Sequence, residues 1–417
     1  RSLVGRPFFK QGKPMTKTPL EEIGPPLYYV AGNAADAGFP APPNPYGQSL
    51  RTWVRSLGGM QKEALVFSAA TGTAWRFACD EGAHLGGHNK APNPLTYLSA
   101  GMISSYMSEI TALAEQRKIT LSNLYLVLEN IYYREGDFRQ GTMKSSALPP
   151  ELSVTCDADC DAQTLNTLLF EAISASPLNG LARGSHPSLF TLTHNGKTLA
   201  PEQVTPLKAN AFSNPGDNFS KLIPAEKSTA LPSLIEYLKE NDDKYGDFIQ
   251  TRSSSPELGQ DKQLLQMHSK CVLRSDGVKE IYKEQFGPAS PDWKYLSDEA
   301  LGHGGHGRAP DAASLISAGI GLCFMTQMGR YAHMAKLPLK GYSIIQDTHF
   351  SLGGASSGTG QAGLAQPVET HVFLDSDAGD DIAQQILGVA ERTCFLHAFC
   401  RDDLKPKVRS RTPSQSA

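Results

Sequence analysis

Little in this sequence points to a large partner. Its 39 Lys and Arg nearly balance its 42 Asp and Glu, and the net charge of −3 gives no field that would gather nucleic acid or an anionic membrane. No apolar run approaches the roughly 18–20 residues that span a bilayer. The basic opening, RSLVGRPFFKQGKPM, lacks the continuous apolar core of a signal peptide. Seven cysteines are an odd number and too sparse for a disulfide scaffold, so a reducing, cytoplasmic setting is expected. No cofactor is expected. What remains is a 417-residue chain, 40% hydrophobic and 19% charged, with the composition of a soluble globular protein and room for two or three cores.

The chain resembles itself. WRFACDEGAHLGGHNKAPN around Trp75 returns 218 residues later as WKYLSDEALGHGGHGRAPD around Trp293. Asp80, Glu81 and His88 pair with Asp298, Glu299 and His306, and Ala91-Pro92 pairs with Ala309-Pro310. The same offset carries Val154 onto Val372, Asp157 onto Asp375 and Arg183 onto Arg401. It also carries Ser105 onto Cys323 and Ser176 onto Cys394. A constant offset over this length implies one structural unit present twice, with a thiol pair in the second copy only.

Local signals give the elements of each copy. Asn93 followed by Pro94 is an N-cap with proline at the first helical position, and Leu98, Met102, Tyr106 and Ile110 continue an apolar stripe. Asp311 caps the second copy's helix, with Ile316, Ile320, Phe324 and Met328 as its stripe. Strands are predicted near 61–79, 123–133, 152–157, 341–350 and 370–375, and further helices over 162–175 and 380–393. The predicted class is α+β, with helices packed on a sheet. Residues 1–60, rich in Pro and Gly, read as an arm. The copies span 61–205 and 266–405, joined by a connector over 206–265 with an amphipathic helix over 231–245. Residues 406–417 read as a disordered tail.

At the thiols the chain resembles the OsmC/Ohr family of thiol-dependent peroxidases. The family pattern is a Gly-Gly segment, then Asn-Pro-Glu opening a helix with the peroxidatic Cys twelve residues after the Asn, and a second helix ending at the resolving Cys. Gly304-Gly305, Asp311, Cys323 and Cys394 match these landmarks, as do Gly86-Gly87, Asn93-Pro94 and Ser176-Pro177 in the first copy. The resemblance implies two tandem units clasped as an intertwined pseudo-dimer, with sheets wrapped around central helices. It also implies Cys323 as peroxidatic and Cys394 as resolving thiol, an organic hydroperoxide as substrate and a dithiol as reductant. A single chain would then be complete as a monomer. Ser105 and Ser176 would be degenerate counterparts, since an alcohol oxygen forms no sulfenate. The family's activating Glu is missing, because Leu95 and Ala313 stand at its position.

A peroxidatic thiol needs a cation or hydrogen-bond donor to gain thiolate character. By sequence, His306, Arg308, Arg401, His303 and His349 are the candidates for lining or activating its pocket. His303 and His306 supply two ligands where structural zinc takes four, and no metal site is assigned. Asp80-Glu81 and Asp298-Glu299 occur in both copies and read as structural. Two other readings stay open. One is a hydrolase or carbon–sulfur-cleaving enzyme with Cys323 as nucleophile and His306 or His349 as base. The other is a non-catalytic binding protein.

Overall fold

The computed structural model describes residues 17–137, 141–241, 263–286 and 290–411. The first part of the chain runs α1 (Pro19–Ile23), β1 (Tyr29–Val30), β2 (Gly47–Gly58), β3 (Gln61–Ser68), β4 (Ala74–Cys79), α2 (Pro94–Gln116), β5 (Leu121–Glu135), β6 (Lys144–Ala147), β7 (Glu151–Ala158), α3 (Ala162–Ala175), α4 (Pro177–Arg183), β8 (Leu189–His194) and β9 (Lys197–Leu199). The second runs β10 (Ile235–Asn241), β11 (Gln263–Leu273), β12 (Lys279–Phe286), β13 (Ser290–Ser297), α5 (Ala312–Met334), β14 (Leu339–Ser351), β15 (Glu369–Ser376), α6 (Asp380–Thr393), α7 (Phe395–Arg401) and β16 (Lys407–Arg411). The helix pairs α2/α5, α3/α6 and α4/α7 start and stop at positions 218 residues apart.

The two units exchange strands. The first sheet has the order β1-β4-β3-β2-β14-β15-β8-β9, so two strands of the second unit sit between strands of the first. The second sheet, β10-β13-β12-β11-β5-β7-β16, is the converse. The seams are long antiparallel ladders: β2 runs from Gly47 opposite Ser351 to Arg55 opposite Ser343, and β11 pairs with β5 from Gln263 to Val272. Neither unit can complete its sheet alone, and one continuous core fills the space between the sheets.

Helices α2 and α5 form the centre of that core. Asn93 Oδ1 caps α2 by accepting from Leu95 N at 3.1 Å, and Asp311 Oδ1 caps α5 by accepting from Ser314 N at 2.6 Å. The two helices cross where glycines stand at matching positions. A Cβ on Gly101 would lie 2.5 Å from Ala312 O, and one on Gly319 would lie 3.0 Å from Leu98 N. These glycines sit one turn ahead of Ser105 and Cys323, so they set the approach that positions the site. Helix propensity alone would make Gly101→Ala stabilising by about 1 kcal/mol. The close approach reverses the sign, and we expect a loss of about 1–3 kcal/mol in urea unfolding. A gain would mean that the crossing is looser than described.

Helix α5 is long and apolar enough to cross a membrane, which the sequence reading passed over, but 94% of its apolar window is buried inside the protein. Three other expectations need correction. The arm ends near residue 46, because Gly47–Gly58 is an interior strand of the first sheet. The expected connector helix over 231–245 is not formed: 231–234 are irregular, β10 pairs antiparallel with β13 over 235–241, and 242–245 lie outside the described residues. Burial of Leu234 and Ile235 against the core favours strand over the local helical period. Within the tail, Lys407–Arg411 is a strand parallel to β7, with Lys407 and Arg409 drawn to Glu151 at 3.7 and 3.9 Å. The arm and part of the connector cover the outer face of the first sheet, where Phe39 and Phe219 pack on Trp53, Ile345 and Phe373.

Candidate active site

Cys323 lies twelve residues after its cap, on the face of α5 turned to the end of α6. Cys394 closes α6 and serves as the N-cap of α7 with extended backbone (φ −75, ψ 119). The fold therefore brings the sulfurs to 3.4 Å, with Cys394 Sγ–H donating to Cys323 Sγ. They are 2% and 0% exposed. In the first unit the same geometry holds Ser105 Oγ and Ser176 Oγ at 2.8 Å. A disulfide needs an S–S separation of about 2.05 Å, so this is a reduced thiol pair held within reach of a bond.

Arg134, reaching in from β5 of the first unit, is the charged group next to the sulfurs. Its Nη2 donates to Gln327 Oε1 at 3.4 Å, and its guanidinium carbon stands 4.4 Å from the centre of the Phe395 ring. Nε is buried without a partner. Burial, and then the nearby Arg330, push the guanidinium down to about 9, while Cys323, Glu81 and Cys394 favour its charge. Glu81 is raised to about 7, mainly by burial and against the pull of Lys62. Burial, followed by contact with Cys323, holds the Cys394 thiol well above its ordinary range. Cys394 thus keeps its proton and presents it to Cys323. A small open pocket lies next to Cys394 at Thr393, bounded by Arg134, Gln327, Arg330, Met143, Met334 and Val389.

Residues 305–408, which hold both thiols, match the family model described as OsmC-like protein. This stretch is an OsmC-like domain. A solved structure described as an OsmC-like hydroperoxide resistance protein from Jannaschia sp. CCS1 is 20% identical over 32% of this chain and 83% of that chain, with a TM-score of 0.20. No curated protein matches.

Strand exchange redistributes the residues expected around the thiols of the OsmC-like domain. Glu299 and His303 line the serine pocket with Ser105, Ser108 and Glu109, not the thiol pocket. His303 Nδ1 is 3.1 Å from Ser357 Oγ. His306 contributes its backbone N–H to Asp298, and Arg308 is held by Asp298 at 2.8 Å and Asp276 at 3.5 Å. Arg401 is paired with Glu391 and donates to Ser145 O at 3.3 Å. His349 lies on the outer face of the first sheet, with Nδ1 2.8 Å from Ser49 Oγ. None of these five is placed against Cys323. Ala313, one of the two positions without the family Glu, also lines the serine pocket.

The residues that do stand near the thiols were not singled out in the sequence. Asp80 has the expected structural role, accepting from the backbone N–H groups of Glu81, His88 and Lys90. Its neighbour Glu81 instead lies in the electrostatic range of Arg134 and Arg330, which line the thiol pocket. A comparison of the copies holds a trace of this asymmetry: at the 218 offset Gln327 replaces Glu109, Arg330 replaces Ala112, and Arg134 stands where the second copy has Leu352. The serine pocket is consequently acidic and the thiol pocket basic. That contrast puts cations near the sulfurs and carboxylates near the hydroxyls.

Proposed function

We propose that the chain is a thiol peroxidase that reduces organic hydroperoxides. The Cys323 thiolate attacks the distal peroxide oxygen, the O–O bond breaks, and the alcohol leaves with a proton from the medium. Cys323 is then a sulfenic acid. Cys394 attacks that sulfur, water departs, and the Cys323–Cys394 disulfide forms; a dithiol reductant returns both to thiols. The peroxide gains two electrons and the thiol pair loses two.

The observation that carries this reading is the buried 3.4 Å sulfur pair with Cys394 donating to Cys323 beside a desolvated arginine. The pocket's Met143, Met334 and Val389 suit an organic group on the peroxide. The two bases named for the hydrolase alternative, His306 and His349, stand away from Cys323. Both halves of the site come from one chain, so the monomer is sufficient. The reading is tested by rapid mixing of the reduced protein with an alkyl hydroperoxide. Two thiols per chain should disappear with one equivalent of alcohol formed, and peptide mapping should recover the Cys323–Cys394 link. Unchanged thiols under excess peroxide would remove the reading.

A further inference from the structure

We propose that Asp347, His349 and Glu369 form a binding site for a divalent transition-metal ion of the zinc class on the outer face of the first sheet. Asp347 and His349 are two apart on β14 and so share a face, and Glu369 is directly opposite Asp347 on β15. One donor atom from each lies within 4.8 Å of the others. Ligands around a single zinc ion sit about 2.0–2.2 Å from it, so small side-chain rotations close the set.

The surroundings orient two of the three ligands. His349 Nδ1 is engaged by Ser49 Oγ at 2.8 Å, which leaves Nε2 as the nitrogen with no hydrogen bond. Asp347 is fixed by Arg51, through Nε at 2.8 Å and Nη2 at 2.7 Å. Two carboxylate oxygens carry about four lone-pair positions, so this fork leaves room for a cation. Hydrogen bonds of this kind, to the second ring nitrogen of a histidine and to a ligating carboxylate, orient metal ligands in general. The two carboxylates and Arg51 sum to one negative charge, which attracts a divalent ion. Asp347 and His349 are 4% and 9% exposed, and the Tyr46 ring leans on His349 at 6.3 Å, so competing water is restricted. A three-ligand set of this type leaves a coordination position open.

The other sheet has the same acidic pair without a histidine at the matching position, its nearest imidazole being His268 on the neighbouring strand, 3.8 Å from Glu129. At the 218 offset the three positions are Glu129, Ile131 and Glu151, which lack the nitrogen ligand. The sequence does not reveal the site, because Glu369 is twenty residues from His349 and only strand pairing joins them.

The test is equilibrium dialysis of the full chain against Zn²⁺, in a Cys323→Ser/Cys394→Ser background so that the thiol pair does not compete. One zinc per chain is expected, with affinity falling at least tenfold in His349→Ala and in Glu369→Gln and unchanged in Glu129→Gln. Glu369→Gln is isosteric and half-buried, so it keeps the test open if His349→Ala fails to fold. No zinc in the parent, or parental affinity in a folded variant of either ligand, overturns the site. The outcome is independent of peroxidase activity.

Discussion

Cys323→Ser is expected to abolish hydroperoxide reduction, by at least about a thousandfold, because it removes the sulfur assigned to accept the peroxide oxygen. The variant recreates in the second unit the hydroxyl already present at Ser105, so the fold should tolerate it. Cys394→Ser should behave differently. The first oxidation of Cys323 proceeds, no resolving thiol follows, and a sulfenic acid accumulates that a dimedone adduct would report. The pair of variants separates attack from resolution. Full turnover in Cys323→Ser would sink the assignment. Rapid, complete turnover in Cys394→Ser would reassign the resolving role, for which the buried Cys400 is the nearest thiol in sequence.

The second large effect concerns stability. Lys283 is 1% exposed on β12, and its ammonium donates to His268 O at 3.2 Å and to Ser269 Oγ. Burial pushes it down to about 7 from an ordinary 10.5. Its folded pKa is below its unfolded pKa, so between about 7 and 10.5 the unfolded chain binds more protons. Stability from this group therefore rises with pH through that window, and the full penalty, on the order of 5 kcal/mol, applies below about 7. The position opposite Trp75 in the other sheet is Val66, just as Lys283 stands opposite Trp293. Lys283→Met should therefore stabilise the protein at pH 7 by roughly 2–4 kcal/mol once its lost hydrogen bonds are subtracted. The advantage should shrink as urea unfolding is repeated toward pH 10. A difference between the two proteins that stays constant with pH would contradict the buried-amine account.

The expectations that succeeded rest on local chemistry. The caps Asn93 and Asp311 mark helix starts that the structure reproduces, because a side-chain oxygen over the first N–H groups acts within one turn. The repeat likewise marks the ends of α3 and α6 and hence the places of Ser176 and Cys394. Three of the candidates that failed share one cause. His303, His306 and Arg308 follow the second unit's strands in sequence, and proximity to Cys323 was inferred from membership of the same unit. Strand exchange sends that loop to the serine pocket and brings Arg134 and Glu81 from the first unit to the thiols. The strand at 235–241 departs from its helical period for a related reason, since pairing with β13 overrules it.

The duplicated plan, the main helices and the presence of the site's thiol pair in only one copy were legible in the chain, because periodicity, capping and residue identity are local properties. Tertiary structure alone decided which arginine meets the thiols, which loop lines which pocket and that Asp347, His349 and Glu369 converge. Those facts depend on ladders between strands more than a hundred residues apart, such as β2 with β14 and β5 with β11, and no local signal encodes which edge a strand will join.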